Sequence, residues 1–459
     1  MRGDFSDVKF DSRNHFSRVL KQQGRVQLDS DDNEHTEIVL HYLRTAVADL
    51  LRHPDTGRSA ACPAFLRDSF RIGGANWTAG GFAELTIQPG RYYVDGILCE
   101  LEAETNYTKQ PDYPGATIPD SPFLVFLDVW ERFVSAAEDD SIREVALGGP
   151  DTAGRSRVVW QVRAATVSEQ RDCAGGFGEV SKALEPAGRG RLRVRAGRET
   201  TSSDPCLVPP DARYRGEENQ LYRVEIHHGG GAWDGNDQTR GDAATFVWSR
   251  DNGSNAFPIA SFEGEEVTLE TLGRDTRTGL QKGDLVEVQY EAFVLGNRLE
   301  WSSPPPLLEV QAIDRDELRV TLDGDLGDVD DDLRETARLL RRWDRRPGAA
   351  ADQSGVADDG STFVVESDDE ETGWIELENG IEIQFATGGA RYRSGDYWLV
   401  PARVATGDVR WPHDATGSPA AEPPDGVGHH YAPLAIVEGD NVQDCRTAFN
   451  VTLSVPVPT

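Results

Sequence analysis

Residues 22–51 read QQGRVQLDSDDNEHTEIVLHYLRTAVADLL, and they split the chain into one long helix and a body of strands. Val39, Leu43, Val47 and Leu51 recur at every fourth position, and Leu40, Ala46 and Leu50 widen the stripe. Asp29, Asp31, Asp32 and Glu34 come just before it, where the positive end of a helix dipole favours carboxylates, and Arg52 stands at the other end. Pro54 and Gly57 then stop the helix. The expectation is a capped amphipathic helix over residues 31–52. An extended arm, GDFSDVKFDSRNHFSRVL (residues 3–20), leads into it. An arm followed by a helix with one apolar face either packs on its own core or docks into an assembly. In the docking reading the arm offers Phe5, Phe10 and Phe16. Gln23, Arg25, Asn33 and Glu34 shape the turn into the helix, and Val39, Leu43, Val47 and Leu51 form the face that docks.

The rest of the chain reads as strands and turns. In ELTIQPGRYYVDGILCELE (84–102) Leu85 and Ile87 alternate with polar neighbours, Pro89-Gly90 is expected to turn, and Tyr92 to Leu101 to form a second strand around Asp95-Gly96, while FLVFLDVWERFV (123–134) is the most apolar run. NQLYRVEIHHG (219–229) and ATFVWSRDNGSNAFPIASFEGEEVTL (244–269) continue the pattern. From residue 282 short strands recur about every ten residues, the signature of a small barrel or sandwich. DVDDDLRETARLLRRWDRR (328–346) is expected to be a second helix, with acid first, Arg last, and Leu333, Ala337, Leu340 and Trp343 on one face. Residues 165–215 are rich in Gly and Pro and are expected to make surface excursions. The fold class is therefore mainly β, with sandwich- or barrel-like modules, an N-terminal arm and helix, and one further helix. The expected organisation is an anchoring segment (1–57), a β-rich domain (58–272), a small β module ending in a helix (273–346), an acidic linker (347–372) and a C-terminal β segment (373–459).

The chain has 459 residues, enough to bury a core without metals or disulfides. Its 79 acidic against 47 basic residues give a formal net charge of −32, which argues against nucleic acid and anionic membranes as partners. Five of the 47 cations are lysines, leaving 42 arginines. Dispersed carboxylates with so few lysines are expected of a surface adapted to strong salt, which screens self-repulsion, and so of a halophilic source. No stretch of about 18 apolar residues suggests a membrane span. The opening MRGDFSD lacks the apolar core of a secretion signal, so synthesis in the cytoplasm is expected.

The motifs that carry chemistry are weak. Asp29-x-Asp31-x-Asn33 imitates a calcium loop but has Glu34 where Gly is needed and Leu40 where Glu is needed. The pairs His227-His228 and His429-His430 lack helical ligand spacing, and adjacent strand residues face opposite ways. Only single histidines from each pair are expected to be able to meet. No zincin, nucleophile-elbow or Walker pattern appears, and the abundance of acid makes any carboxylate pair uninformative. The five cysteines form no CxxC, and an odd count does not look like a disulfide framework. Cys173 and Cys206, both in irregular stretches, are the pair left open for a bridge. The ten tryptophans are read as core ahead of a sugar-stacking platform.

Several of these segments together resemble a known domain family. They are GDFS (3–6), HFSRVLKQQGRVQLDSDDNE (15–34), FLDVWERFV (126–134) and EDDSIREVALGGPDTAGRSRVVWQV (138–162), followed by GEENQLYRVEIHHGG (216–230), ATFVWSRDNGS (244–254), GDLVEV (283–288), YRSGDYWLVPARVATGDVRWP (392–412) and PPDGVGHHYAPLAIV (423–437). The family is a domain of unknown function encoded in gene clusters of phage-tail-like contractile injection systems. The resemblance implies a structural part of an extracellular contractile particle, near its baseplate or fibres, that joins other particle subunits. It implies no catalytic residue, cofactor or metal. A homo-oligomer, trimeric or sixfold, is expected from particle symmetry. The rival readings are a receptor- or glycan-binding fibre protein and an envelope polysaccharide hydrolase.

Overall fold

The computed structural model describes residues 1–52, 57–78, 81–113, 116–168, 171–184, 189–197, 214–236, 240–275, 277–290, 294–295, 304–324, 337–345, 355–369, 371–389 and 391–450. The protein is mainly β, built as several sheets around three principal cores, with two α-helices among the described residues.

The first core is made by residues from both ends of the chain. The strand Phe123–Val134 pairs with Arg155–Thr166 on one side and with the late strand His430–Glu438 on the other. A second sheet places Ala60–Pro63 between Gly90–Val94 and Ala448–Phe449. Phe123, Val125, Leu127 and Val129 alternate inward against Tyr92, Val94, Ile97, Leu434 and Val437. The second core lies between a five-stranded sheet, centred on Gln220–Ile226, and a three-stranded sheet of Leu192–Ala196, Ile375–Glu376 and Ile381–Phe385. In the five-stranded sheet Gln220–Ile226 runs antiparallel to Thr245–Ser249 and to Tyr397–Arg403. The third core fills a closed barrel of six strands between Ala256 and Trp343.

The first helix, α1 (Asp29–Leu51), starts two residues before the expected bound. The second expected helix is not a helix where it is described. Ala337–Trp343 is a barrel strand, paired with Ala256–Pro258 on one edge and with Leu285–Tyr290 on the other. In ARLLRRW the run is short enough to fit either period, and closing the barrel decides for strand. Residues 328–336 lie outside the described residues.

The actual second helix is α2 (Cys173–Leu184), inside the stretch expected to be irregular. Its three glycines lower helix propensity. Packing overrides that, because Phe177 and Val180 bury against Leu124, Phe126 and Ile436 of the first sheet. Gly176 lets the helix approach closely, since a Cβ there would sit 3.1 Å from Ile436 Cδ1. Cys173 at the head of α2 is bridged to Cys445, with Cα atoms 5.5 Å apart, and not to Cys206, which lies outside the described residues. Cys62 and Cys99 are buried free thiols.

Barrel and central sheet meet at Trp343, which is 1% exposed among Val247, Leu285 and Leu307. Its indole N–H donates to Glu287 Oε2 at 2.8 Å, and Gln289 Nε2 donates to Glu287 Oε1 at 3.0 Å. Burial alone would push the Glu287 carboxyl up, but the Arg2 charge, the nearby His227 ring and the Gln289 hydrogen bond hold it below its usual value. Trp343→Phe keeps most of the apolar volume but leaves one Glu287 oxygen without its donor. Denaturant unfolding should show a loss of about 2 kcal/mol, the cost of an unpaired buried acceptor plus a small void.

Candidate functional site

The N-terminal arm divides into two parts with opposite surroundings. Residues 1–10 are held on the chain's own body. Arg2 donates through Nε to Glu225 Oε2 at 3.2 Å, and its Nη2 pairs with Glu225 Oε1. The same guanidinium lies 5.6 Å over the Trp343 ring. Asn252, fully buried, donates from Nδ2 to the carbonyls of Met1 (3.1 Å) and Gly3 (3.0 Å), while its Oδ1 accepts from Arg223. Phe5 packs edge-on against Phe133, with ring centroids 5.3 Å apart. Asp7 is buried between Arg403, at 3.0 Å, and Arg410. The first ten residues therefore strap the central sheet and barrel seam to the first module.

Asn252 sits at φ 52°, a left-handed conformation that Asn tolerates better than Ala. Asn252→Ala should cost about 2–3 kcal/mol through the strained backbone and the lost hydrogen bonds. Limited proteolysis should cut the arm of that variant faster than in the parent.

Beyond residue 10 the arm runs over the surface. Phe10 stays half-buried against His41, with centroids 5.6 Å apart, and lines a shallow cleft with Phe16, Glu34, Ile38 and Tyr42. Phe16, Leu20, Val26 and Leu28 are exposed, at 57, 67, 84 and 46%. Gln23 and Arg25 are exposed in a turn that Gly24 makes with positive φ. The acids at the helix entrance clasp this arm. Asp29 accepts from Ser6 N at 2.9 Å, Asp31 pairs with Lys9, and Asp32 pairs with Lys21 at 2.7 Å. Asn33 is exposed and Glu34 half-buried. The helix has no side-chain N-cap hydrogen bond, so the acidic run acts through the dipole and these clasps.

The expected docking face of α1 is split by geometry. Residues spaced by four drift about 40° per step around a helix of 3.6 residues per turn, so Val39 and Leu51 end about 120° apart. Leu51 is buried and Val47 half-buried on the chain's own body, while Ile38, at 1% exposure, lines the cleft under the arm. Arg44 fixes this inward side, donating to both Glu131 oxygens at 2.8 and 2.9 Å. Its backbone lies so close to the Asp95-Gly96 turn that a Cβ on Gly96 would be 2.4 Å from Arg44 O. Val39 (50%) and Leu43 (57%) face outward. With Ala46 and Leu50 (83%) they form a straight exposed row, because spacings of four, three and four cancel the drift.

The two histidine pairs behave differently. His429 Nδ1 lies 2.7 Å from Asp128 Oδ1, with its ring stacked on Trp130, while His430 Nδ1 is 2.9 Å from Asp95 Oδ2. That pair diverges. His227 and His228 instead converge, contrary to strand alternation, because the strand ends at Ile226 and both lie just past it. His228 Nε2 is 2.9 Å and His227 Nε2 3.7 Å from Asp359 Oδ2. Burial, ahead of any neighbouring charge, pushes the His227 imidazole down to about 4, so the ring is neutral at pH 7. Burial of Asp359 is outweighed by the His228 hydrogen bond, the close His227 ring and two Ser361 hydrogen bonds, which hold its carboxyl well below the usual range. Asp359 is on a loop 131 residues from His228, so nothing local in the sequence signals the meeting.

None of the eight tryptophans whose side chains are described is exposed; four are buried and four half-buried. No helix among the described residues is long and apolar enough to cross a membrane. The family model described as a family of unknown function (DUF6519) matches residues 1–189 and 180–455. No curated protein and no solved structure matches the chain.

Proposed function

We propose that this chain, which belongs to the DUF6519 family of unknown function, is a structural component of a phage-tail-like contractile injection system. It is baseplate- or tail-fibre-associated and acts as part of the extracellular particle. In this reading the outward side of residues 11–50 docks on another particle subunit, and copies follow the trimeric or sixfold symmetry of the particle.

The observation that carries the reading is the apolar surface of the arm and α1. Phe16, Leu20, Val26, Leu28, Val39, Leu43 and Leu50 are all exposed on one arm–helix unit, in a chain of net charge −32 whose carboxylates otherwise keep it solvated. Concentrated exposed apolar side chains mark interaction sites. The strap of residues 1–10 supports the same reading, because it roots the unit in the body and lets a load on the helix pass to all three cores. Among the tryptophans whose side chains are described none is exposed, which favours this reading over a sugar-stacking role.

Imaging purified particles made with and without this gene tests the proposal. A defined mass should vanish at the baseplate or fibres. Particles of unchanged mass and composition would overturn it.

A further inference from the structure

We propose that His227, His228 and Asp359 form a binding site for one first-row divalent cation of the zinc type. The three donor atoms, two imidazole nitrogens and one carboxylate oxygen, all lie within 4.8 Å of one another. With metal–ligand bonds of about 2.0–2.2 Å, tetrahedral ligands stand about 3.4 Å apart. The observed separations from Asp359 Oδ2, 2.9 Å to His228 and 3.7 Å to His227, fall on either side of that value. Small side-chain rotations would seat an ion between them.

The independent sign of a missing ligand is His227. The residue is 4% exposed, and its Nε2 has no hydrogen-bond partner although it points at Asp359. Buried polar atoms are almost always paired, so an orphaned ring nitrogen aimed at a carboxylate needs a reason. A cation between the two supplies one. His228 Nε2, 2.9 Å from Asp359 Oδ2, would bind the ion through its lone pair, with the ring proton carried on Nδ1.

The scaffold around the three ligands is built from outside. His227 N donates to Thr245 O at 2.8 Å, Thr245 N to His228 O at 3.0 Å, and His228 N to Thr245 Oγ1 at 3.3 Å. Both histidines are thereby fixed to the neighbouring strand. Asp359 Oδ1 accepts from Ser361 N at 2.9 Å and Ser361 Oγ at 2.6 Å, which leaves Oδ2 turned to the rings. Ser361 is itself buried at 1% exposure. A carboxylate ligand oriented by a buried hydroxyl is the supporting arrangement that metal sites use.

The donor set chooses the ion. Two imidazoles favour zinc-like cations, whereas calcium and magnesium need oxygen ligands. The site is open on one side, with the His228 and Asp359 side chains 37% and 24% exposed, so water completes the coordination. The bound ion would clip the end of the Gln220–Ile226 strand to the 355–363 turn, which leans on the barrel where Gly360 meets Leu285.

The test uses the full chain, stripped with EDTA and held in concentrated KCl with excess Mg2+ to saturate surface carboxylates. Zn2+ is titrated in competition with a chromophoric chelator. One Zn2+ should bind per chain and raise the thermal midpoint. His228→Ala should weaken binding by about 100-fold or more, and Ser361→Ala by about 10-fold. Because the His228 side chain is partly exposed, His228→Ala should melt like the metal-free parent, which separates lost binding from lost folding. Co2+ in place of Zn2+ should give a visible absorption band that His228→Ala abolishes. Absence of stoichiometric Zn2+ binding over Mg2+, or equal affinity in parent and His228→Ala, would overturn the site.

Discussion

The combined variant Leu20→Gln, Val26→Thr, Leu43→Gln, Leu50→Gln should fold and stay soluble but fail to join the particle. The four side chains are 67, 84, 57 and 83% exposed, so each change should move stability by less than about 0.5 kcal/mol. Denaturant unfolding of the isolated chain checks that half of the expectation. At an interface each residue would bury apolar area worth about 1 kcal/mol or more beyond what it already hides. Losing roughly 4 kcal/mol in total lowers association by about 10³-fold. Incorporation is read by quantifying this chain in purified particles. Val145→Thr with Leu147→Gln is the matched control, since those residues are as exposed, at 84 and 71%, but belong to neither the arm nor the helix. If the fourfold variant incorporates like the parent, the anchoring surface is wrong. If the control alone blocks incorporation, the docking face lies elsewhere.

Cys445→Ser should cause the largest loss of stability of any single change considered. The bridge to Cys173 closes a loop with a sequence separation of 272. Cross-linking so distant a pair removes a large loop entropy from the unfolded chain, and about 4 kcal/mol is expected. The bridge also holds the head of α2 beside the Asn441–Asp444 strand, which pairs with His430–Glu438 of the first module. Unfolding in denaturant, with and without reductant, measures this. The parent in reductant should match Cys445→Ser in oxidising buffer, and adding Cys173→Ser should cost nothing more, because both changes remove one interaction. Peptide mapping should recover Cys173 joined to Cys445. A cost below about 1 kcal/mol, or a mapped bridge to another cysteine, would refute the pairing.

The features read correctly from the sequence are those set by neighbours along the chain. The acids at 29–34 and the apolar spacing after them make α1 whatever surrounds it, since helix hydrogen bonds and dipole close within a few turns. The apolar run likewise marks Phe123–Val134 as a buried strand, whereas Tyr92–Leu101, expected to be one strand, is a hairpin of Gly90–Val94 and Ile97–Leu101 turning at Asp95-Gly96. The misreadings came where local preference was weak. ARLLRRW has no strong period, and CAGGFGEVSKAL is glycine-rich; barrel closure made one a strand and sheet packing made the other a helix.

Composition and short-range periodicity by themselves determined a β-rich, strongly acidic chain led by an arm and an amphipathic helix. Only the tertiary structure decided which side of that helix faces out, because a four-residue repeat drifts around the axis and the body covers just part of the arc. Only it decided that residues 1–10 are a strap rather than a free arm, that Cys173 meets Cys445, and that His227, His228 and Asp359 converge. Each of these is a choice of partner across more than a hundred residues or between two faces of one element. Such choices depend on the summed packing of all three cores, which no window of sequence contains.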